Sequence, residues 1–173
     1  MAIVSRKSTY ITNRDASPTV PVGAGIAGGL LRESTGFVTA ANGDSATSIY
    51  PMVSLPSHAR VNSVRLQTDA MGTGAKIDVG VYYPTNAPAG LGVVGGAAIS
   101  AAFFASALAV ATATALTDIT NSSGSNTLDK QEMELWQAIG LATDPGCMLD
   151  ISVAVNVAMA AAGKIGLKVG YVQ

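Results

Sequence analysis

The sequence predicts an all-β domain: an antiparallel β-sandwich, expected as a jelly roll, with one or two short helices and an extended N-terminal arm. Three observations carry this. Apolar residues take every second position over 76–83, 147–157 and 165–171, the alternation of strands with one buried face. Turn-rich stretches separate about seven to nine strand segments, and runs of strands with few helices make layered sheets rather than βαβ units. At 173 residues the chain is one domain that buries roughly 70% of its unfolded surface, so it needs no disulfide or metal staple.

Residues 1–35 read as the arm and 36–173 as the sandwich. In the arm, Pro18, Pro21 and the glycine-rich run 23–29 interrupt any regular element. Arg6, Lys7, Tyr10 and Arg14 are its partner-binding residues, three cations and an aromatic able to dock on an acidic neighbour; a frayed, solvated terminus is the competing reading. The opening residues MAIVSRKSTYITNRDASP hold no apolar run of secretory type, so no leader is expected.

Residues 48–55 make a strand with Ile49, Val53 and Leu55 on one side. Pro51 lacks an N–H and makes it an edge or bulged strand. Residues 61–68 set Val64 and Leu66 against Arg65 and Gln67. In 76–83, Ile77, Val79, Val81 and Tyr83 face one way, as in a half-buried antiparallel strand. Between Gly95 and Leu116 neither period wins, and the expectation is a short helix around Phe103, Phe104 and Leu108 leading into a strand near 116–120.

A helix is expected over 130–139. Asp129 and Glu132 have the spacing of a capping box, Leu128 and Met133 that of a hydrophobic staple, and Gly140 with Leu141 over Trp136 that of a Schellman closure, with Trp136 as the core anchor. A turn at Asp144-Pro145-Gly146 follows. Cys147, Leu149, Ile151, Val153, Val155 and Val157 then share one strand face, and Ile165, Leu167, Val169 and Tyr171 share the next. The short link from Ala158 predicts that these two strands pair antiparallel.

Chemistry is sparse. One His, His58, and one Cys, Cys147, exclude an intrachain disulfide and a zinc centre built by one chain. Cys147 reads as a small buried apolar group. Gly23, Gly25, Gly28 and again Gly90, Gly92, Gly95 match G-x-G-x-x-G. The first follows two prolines, and the second, although Asp118 is spaced as a ribose-binding acid, has no further βαβ unit around it. A hydrolase would have to use His58 with Ser54, Ser57 or a distant Ser, and no nucleophile elbow exists. Asp44, Asp69 and Asp144 do not form a calcium loop, and Asn121-Ser122-Ser123 reads as a turn rather than a glycan acceptor. No catalytic residue, cofactor or metal is therefore assigned.

A formal charge of −1 with scattered Lys and Arg argues against nucleic acid as a partner. Residues 91–116 pass a hydropathy window for a spanning helix, but Ala supplies most of it and basic flanks are missing, so no membrane partner is expected. A surface with so few charges suits permanent contact between subunits.

The segments LPSHARVNSVRLQTDA, IDVGVYYP, LWQAIGLATDPGCMLDISVAV and GKIGLKVGYVQ together resemble small head proteins of tailed bacteriophages, the cement or decoration proteins, from about Leu55 to the end. The insert 86–115 departs from that pattern. The resemblance implies a non-enzymatic virion protein, a homo-oligomer (dimer or trimer) on the capsid surface, assembled in the host cytoplasm. Its partner would be the major capsid protein, which it decorates and stabilises through its arm and exposed sheet edges. Two alternatives are a tail-associated or host-surface glycan-binding module using Trp136 and the tyrosines, and a small membrane-active protein using 91–116.

Overall fold

A computed structural model of the chain describes residues 7–21, 29–87 and 95–173. Among them are a short helix, α1 (Thr9–Arg14), and eight strands: β1 (Leu31–Ala40), β2 (Ile49–Pro56), β3 (Arg60–Thr68), β4 (Lys76–Tyr82), β5 (Ala98–Ala109), β6 (Thr114–Asp118), β7 (Met148–Val157) and β8 (Gly163–Val172). A single turn of helix, α2 (Leu135–Ala138), precedes β7.

The strands form two four-stranded antiparallel sheets in the orders β1-β8-β3-β6 and β2-β7-β4-β5. This is the pattern of one long hairpin, with β1 on β8, β2 on β7, β3 on β6 and β4 on β5, rolled until β8 also meets β3 and β7 also meets β4. The result is a jelly roll. Inner faces meet in one core, with Val64, Leu66, Ile165, Leu167 and Val169 from the first sheet against Leu55, Ile77, Val79, Val81, Leu149, Ile151 and Val153 from the second, all fully buried.

Several expectations are corrected here. The arm is not extended throughout: Ser8 caps α1 by accepting from the Ile11 N–H, and residues 31–35 already belong to β1. β7 and β8 are not partners. Their link carries the chain from one sheet to the other, where β7 lies between β2 and β4 and β8 between β1 and β3. The helix expected around Phe103 is strand β5, and the 91–116 membrane segment fails for the same reason, since 98–109 pair with β4. No helix among the described residues is long and apolar enough to cross a membrane.

β5 escaped the alternation test because it is bulged. The five steps from Ile77 to Tyr82 on β4 are matched by ten steps on β5, from Leu108 back to Ala98. Ala107, at φ 49°, turns one bulge, and its N–H donates to Asp78 Oδ1 at 2.6 Å while Asn156 donates to Asp78 Oδ2 at 2.9 Å. The slack in β5 folds over the outside of the second sheet at Gly80. It buries Tyr82, Ala154 and Ser152, which would otherwise face solvent.

The 130–139 helix is divided. Lys130–Glu132 form a 3-10 turn, Asp129 makes no side-chain cap bond, and Met133 is extended. The Leu135 and Trp136 N–H groups donate to the carbonyls of Ala59 (2.8 Å) and Ser57 (3.1 Å), so the tertiary contact takes the donors a continuous helix would use. Glu134 and Gln137 form the capping box instead. The staple is absent, as Leu128 and Met133 are both exposed, and Leu135 rather than the half-buried Trp136 anchors the turn. The Schellman closure is present: Gly140 has φ 85°, Leu141 N–H donates to the Trp136 carbonyl and Gly140 N–H to that of Gln137.

β2 is an edge strand with a register shift between Pro51 and Val53, as Pro51 implied. That shift turns Tyr50 towards the core and leaves Ile49 exposed, outside the face expected for it.

Candidate interaction surfaces

At one end of the sandwich, the β2–β3 turn, the residues after β4 and the turn before β7 enclose a groove of about 720 Å³. It gathers Ser54, Ser57, His58, Asn86, Cys147 and Asp150, including every residue a hydrolase reading needed apart from its order. The order is wrong for catalysis. Ser57, 1% exposed, donates its hydroxyl directly to Asp144 Oδ1 at 2.5 Å, with no imidazole between them, and Gly146 N–H donates to the same oxygen at 2.9 Å. His58 is exposed and lies 3.4 Å from the Gln173 side chain.

Electrostatics agree with that geometry. The Ser57 hydroxyl, then the Gly146 amide and His58, hold the Asp144 carboxyl below the usual carboxylate range. Burial, followed by the charges of Asp144 and Asp150, pushes the Cys147 thiol up, which disfavours the thiolate a nucleophile needs. Cys147 itself is half-buried rather than sealed in the core. The serine and the carboxylate thus act as a clamp between two turns.

The remaining sequence motifs fall apart in space. Gly23, Gly25, Gly28, Gly90 and Gly92 lie outside the described residues; Gly95 is followed by strand β5, so no helix N-terminus is there to hold a phosphate. Asp44 Oδ2 accepts from the Ala41 N–H and from the Tyr50 hydroxyl on β2, and Asp69 Oδ2 accepts from the Lys164 backbone N–H on β8, so both carboxylates hold protein groups. Trp136 donates its indole N–H to Glu134 at 2.7 Å, and among the described residues no Trp, Tyr or Phe lines the groove as a sugar platform.

Of the four arm residues, Arg6 lies outside the described residues, as does the side chain of Tyr10. Lys7 and Arg14 both pair with Asp15, at 2.9 and 2.8 Å. Arg14 first, and Lys7 second, lower the Asp15 carboxyl. The two cations share one carboxylate, so the cluster is partly neutralised and keeps one net positive charge.

Sequence reasoning missed an exposed apolar edge among the described residues. Phe37 on β1 is 82% exposed, and Leu30 and Leu31 at the start of the same edge are 66% and 56% exposed. β1 pairs with β8 alone. The signal was a large aromatic on the alternation opposite to Val38 and Ala40, which reads as noise unless the residue is taken to face outward.

The fold is similar to that of a chain in the capsid asymmetric unit of cyanophage Pam1, with 21% identity, 84% of this chain and 86% of that one covered, and a TM-score of 0.50. It is also similar to a chain in the capsid of Ralstonia phage GP4, with 20% identity, 88% and 89% covered, and a TM-score of 0.56. At such identities the likeness is one of fold. No family model matches the chain, and no curated protein matches it.

Proposed function

We propose that this protein is a structural component of a phage particle that binds outside the major capsid protein lattice and reinforces it. The observation that carries the reading is the jelly roll itself, shared over most of the chain with components of two phage capsids. The end groove supports a non-enzymatic role, because its serine hydroxyl and carboxylate are bonded to each other and its thiol is held protonated. A protein of this kind works by contact. Binding only the assembled lattice stabilises that lattice by mass action, and repetition over many sites turns modest affinities into avidity.

The arm residues Arg6, Lys7, Tyr10 and Arg14 are proposed as one contact and the open sheet edges as the other. Docking of Lys7 and Arg14 on an acidic surface requires them to exchange Asp15 for the partner's carboxylates. Electron cryomicroscopy of particles carrying the protein tests the reading directly. Density for the jelly roll at regular positions over the outer capsid surface is expected; its absence from heads, or its location in the tail, refutes it. Deletion of residues 1–29 tests the arm, since unchanged occupancy on heads removes the arm from the contact.

A further inference from the structure

The four sheet edges of this sandwich are not equally protected. An edge strand presents unpaired N–H and C=O groups to any other strand, and proteins blunt such edges with proline, bulges, shortness or charge. β2 carries Pro51 and a register shift, β5 is repeatedly bulged, and β6 is five residues long with a shift of its own. β1 has no proline, bulge or shortness: it runs ten residues in unbroken register with β8. Its two charges are turned aside within the chain: Glu33 pairs with Lys168 at 2.8 Å, and Arg32 donates to the Gln173 side chain at 3.2 Å. Beside the uncharged Ser34, Thr35 and Thr39, the remaining exposed residues of this edge are the apolar Leu30, Leu31 and Phe37.

We propose that this edge is the interface with a second copy of the chain, formed by antiparallel pairing of β1 with β1 across a two-fold axis at Ser34. A two-fold perpendicular to the sheet keeps both outer faces on one side, so residues of like parity meet. With the axis at Ser34, Leu31 stands opposite the partner's Phe37 on the outer face, twice by symmetry, and Leu30 opposite the partner's Val38 on the inner one. Glu33 meets the partner's Thr35 and Arg32 meets the partner's Gly36, so neither charge faces its like. An axis at Glu33 or Arg32 would oppose identical charges, and one at Thr35 would set Glu33 against the partner's Phe37; such pairs destabilise a ladder. The same operation joins the two β1-β8-β3-β6 sheets into one of eight strands.

This dimer is independent of the capsid reading and is tested on the isolated full-length protein. Sedimentation equilibrium is expected to give twice the chain mass at micromolar concentration. Phe37→Asp, at a position too exposed to disturb folding, raises the dimer dissociation constant by at least about tenfold, whereas Phe37→Tyr leaves it within about threefold. Ser34→Cys in a Cys147→Ser background forms a disulfide-linked dimer under mild oxidation, because the axis sets residue 34 against itself. A monomer, a trimer, a dimer indifferent to Phe37→Asp, or failure of the Ser34→Cys variant to cross-link while dimers persist each overturns the proposal. So does a monomer whose β1 edge pairs only with an extended strand of a capsid protein.

Discussion

Replacing Gly80 by Ala tests whether β5 lies over the second sheet. A Cβ at residue 80 would sit 2.1 Å from the Ser100 carbonyl oxygen and 2.3 Å from the carbonyl carbon and oxygen of Ala101. Ordinary contact begins near 3.4 Å, so the overhang must retreat by about 1.3 Å at its closest point. These are backbone atoms and cannot rotate away. A radial gap of 0.5–1 Å already forfeits a quarter to a half of each van der Waals contact beneath it, and the group affected includes Tyr82, Ser152 and Ala154. Overpacking usually costs about 1–3 kcal/mol, and a clash with unyielding backbone belongs at or above that upper end. We expect Gly80→Ala to lose about 3–5 kcal/mol, a fall in Tm of roughly 6–20 °C for a domain of this size. Gly166→Ala is the control: its added Cβ meets nothing closer than 3.9 Å, and the strand gains up to about 1 kcal/mol from reduced unfolded-state entropy. Urea unfolding of both variants decides the matter. A Gly80→Ala protein within about 0.5 kcal/mol of wild type would refute the overhang.

Three further outcomes follow from the same structure. Ser152 is fully buried and its hydroxyl has no hydrogen-bond partner, so Ser152→Ala should be neutral or stabilise by up to about 1 kcal/mol in urea unfolding. Ser57→Ala should cost about 1–2 kcal/mol at neutral pH. The folded Asp144 carboxyl is lowered, so its contribution is complete above the ordinary carboxylate pKa and is lost as pH falls through the folded value; the wild-type advantage over Ser57→Ala should therefore shrink in acid, and a gap constant with pH would contradict the clamp. Because the Cys147 thiol is raised, its alkylation by iodoacetamide at pH 8 should be slower in the folded protein than in urea, and equal rates would deny its burial.

Strands β4, β7 and β8 were legible because each keeps a strict two-residue period against the core. The glycine closure of α2 was legible for a similar reason, as Trp136, Gly140 and Leu141 settle it among themselves. What escaped depends on distant partners. The ten steps of β5 matched to five of β4 have no readable period, since the excess is fixed by Asp78, Asn156 and the bare backbone at Gly80. The division of the 130–139 helix depends on carbonyls at Ser57 and Ala59, more than seventy residues away. The switch of sheets between β7 and β8 is invisible locally, because a short link serves a hairpin and a crossing between layers equally well. Of the candidate site, the sequence showed which side chains exist; only the fold showed that Ser57 answers Asp144 and not His58.

The distribution of protection over the sheet edges links this architecture to a contact function. Rolling a long hairpin into a jelly roll leaves two edges on each sheet, and an unprotected set of four would pair indiscriminately. Here the edges of β2, β5 and β6 are blunted, while Gly36 lets the Met52 carbonyl approach to within 2.1 Å of its missing Cβ and so draws β2 tightly under β1. That approach secures the inner side of β1 without using the outward groups of its edge. β1 is therefore an edge both closely backed by β2 and left open, a combination that favours a specific, rigid contact over aggregation. The arm precedes β1 in the chain, so any partner that holds the arm also constrains the start of this edge at Leu30 and Leu31. Coupling between arm and edge is the physical reason to expect that the binding free energy lost on removing both Phe37 and the arm is smaller than the sum of the two separate losses, since either loss alone already removes the coupling.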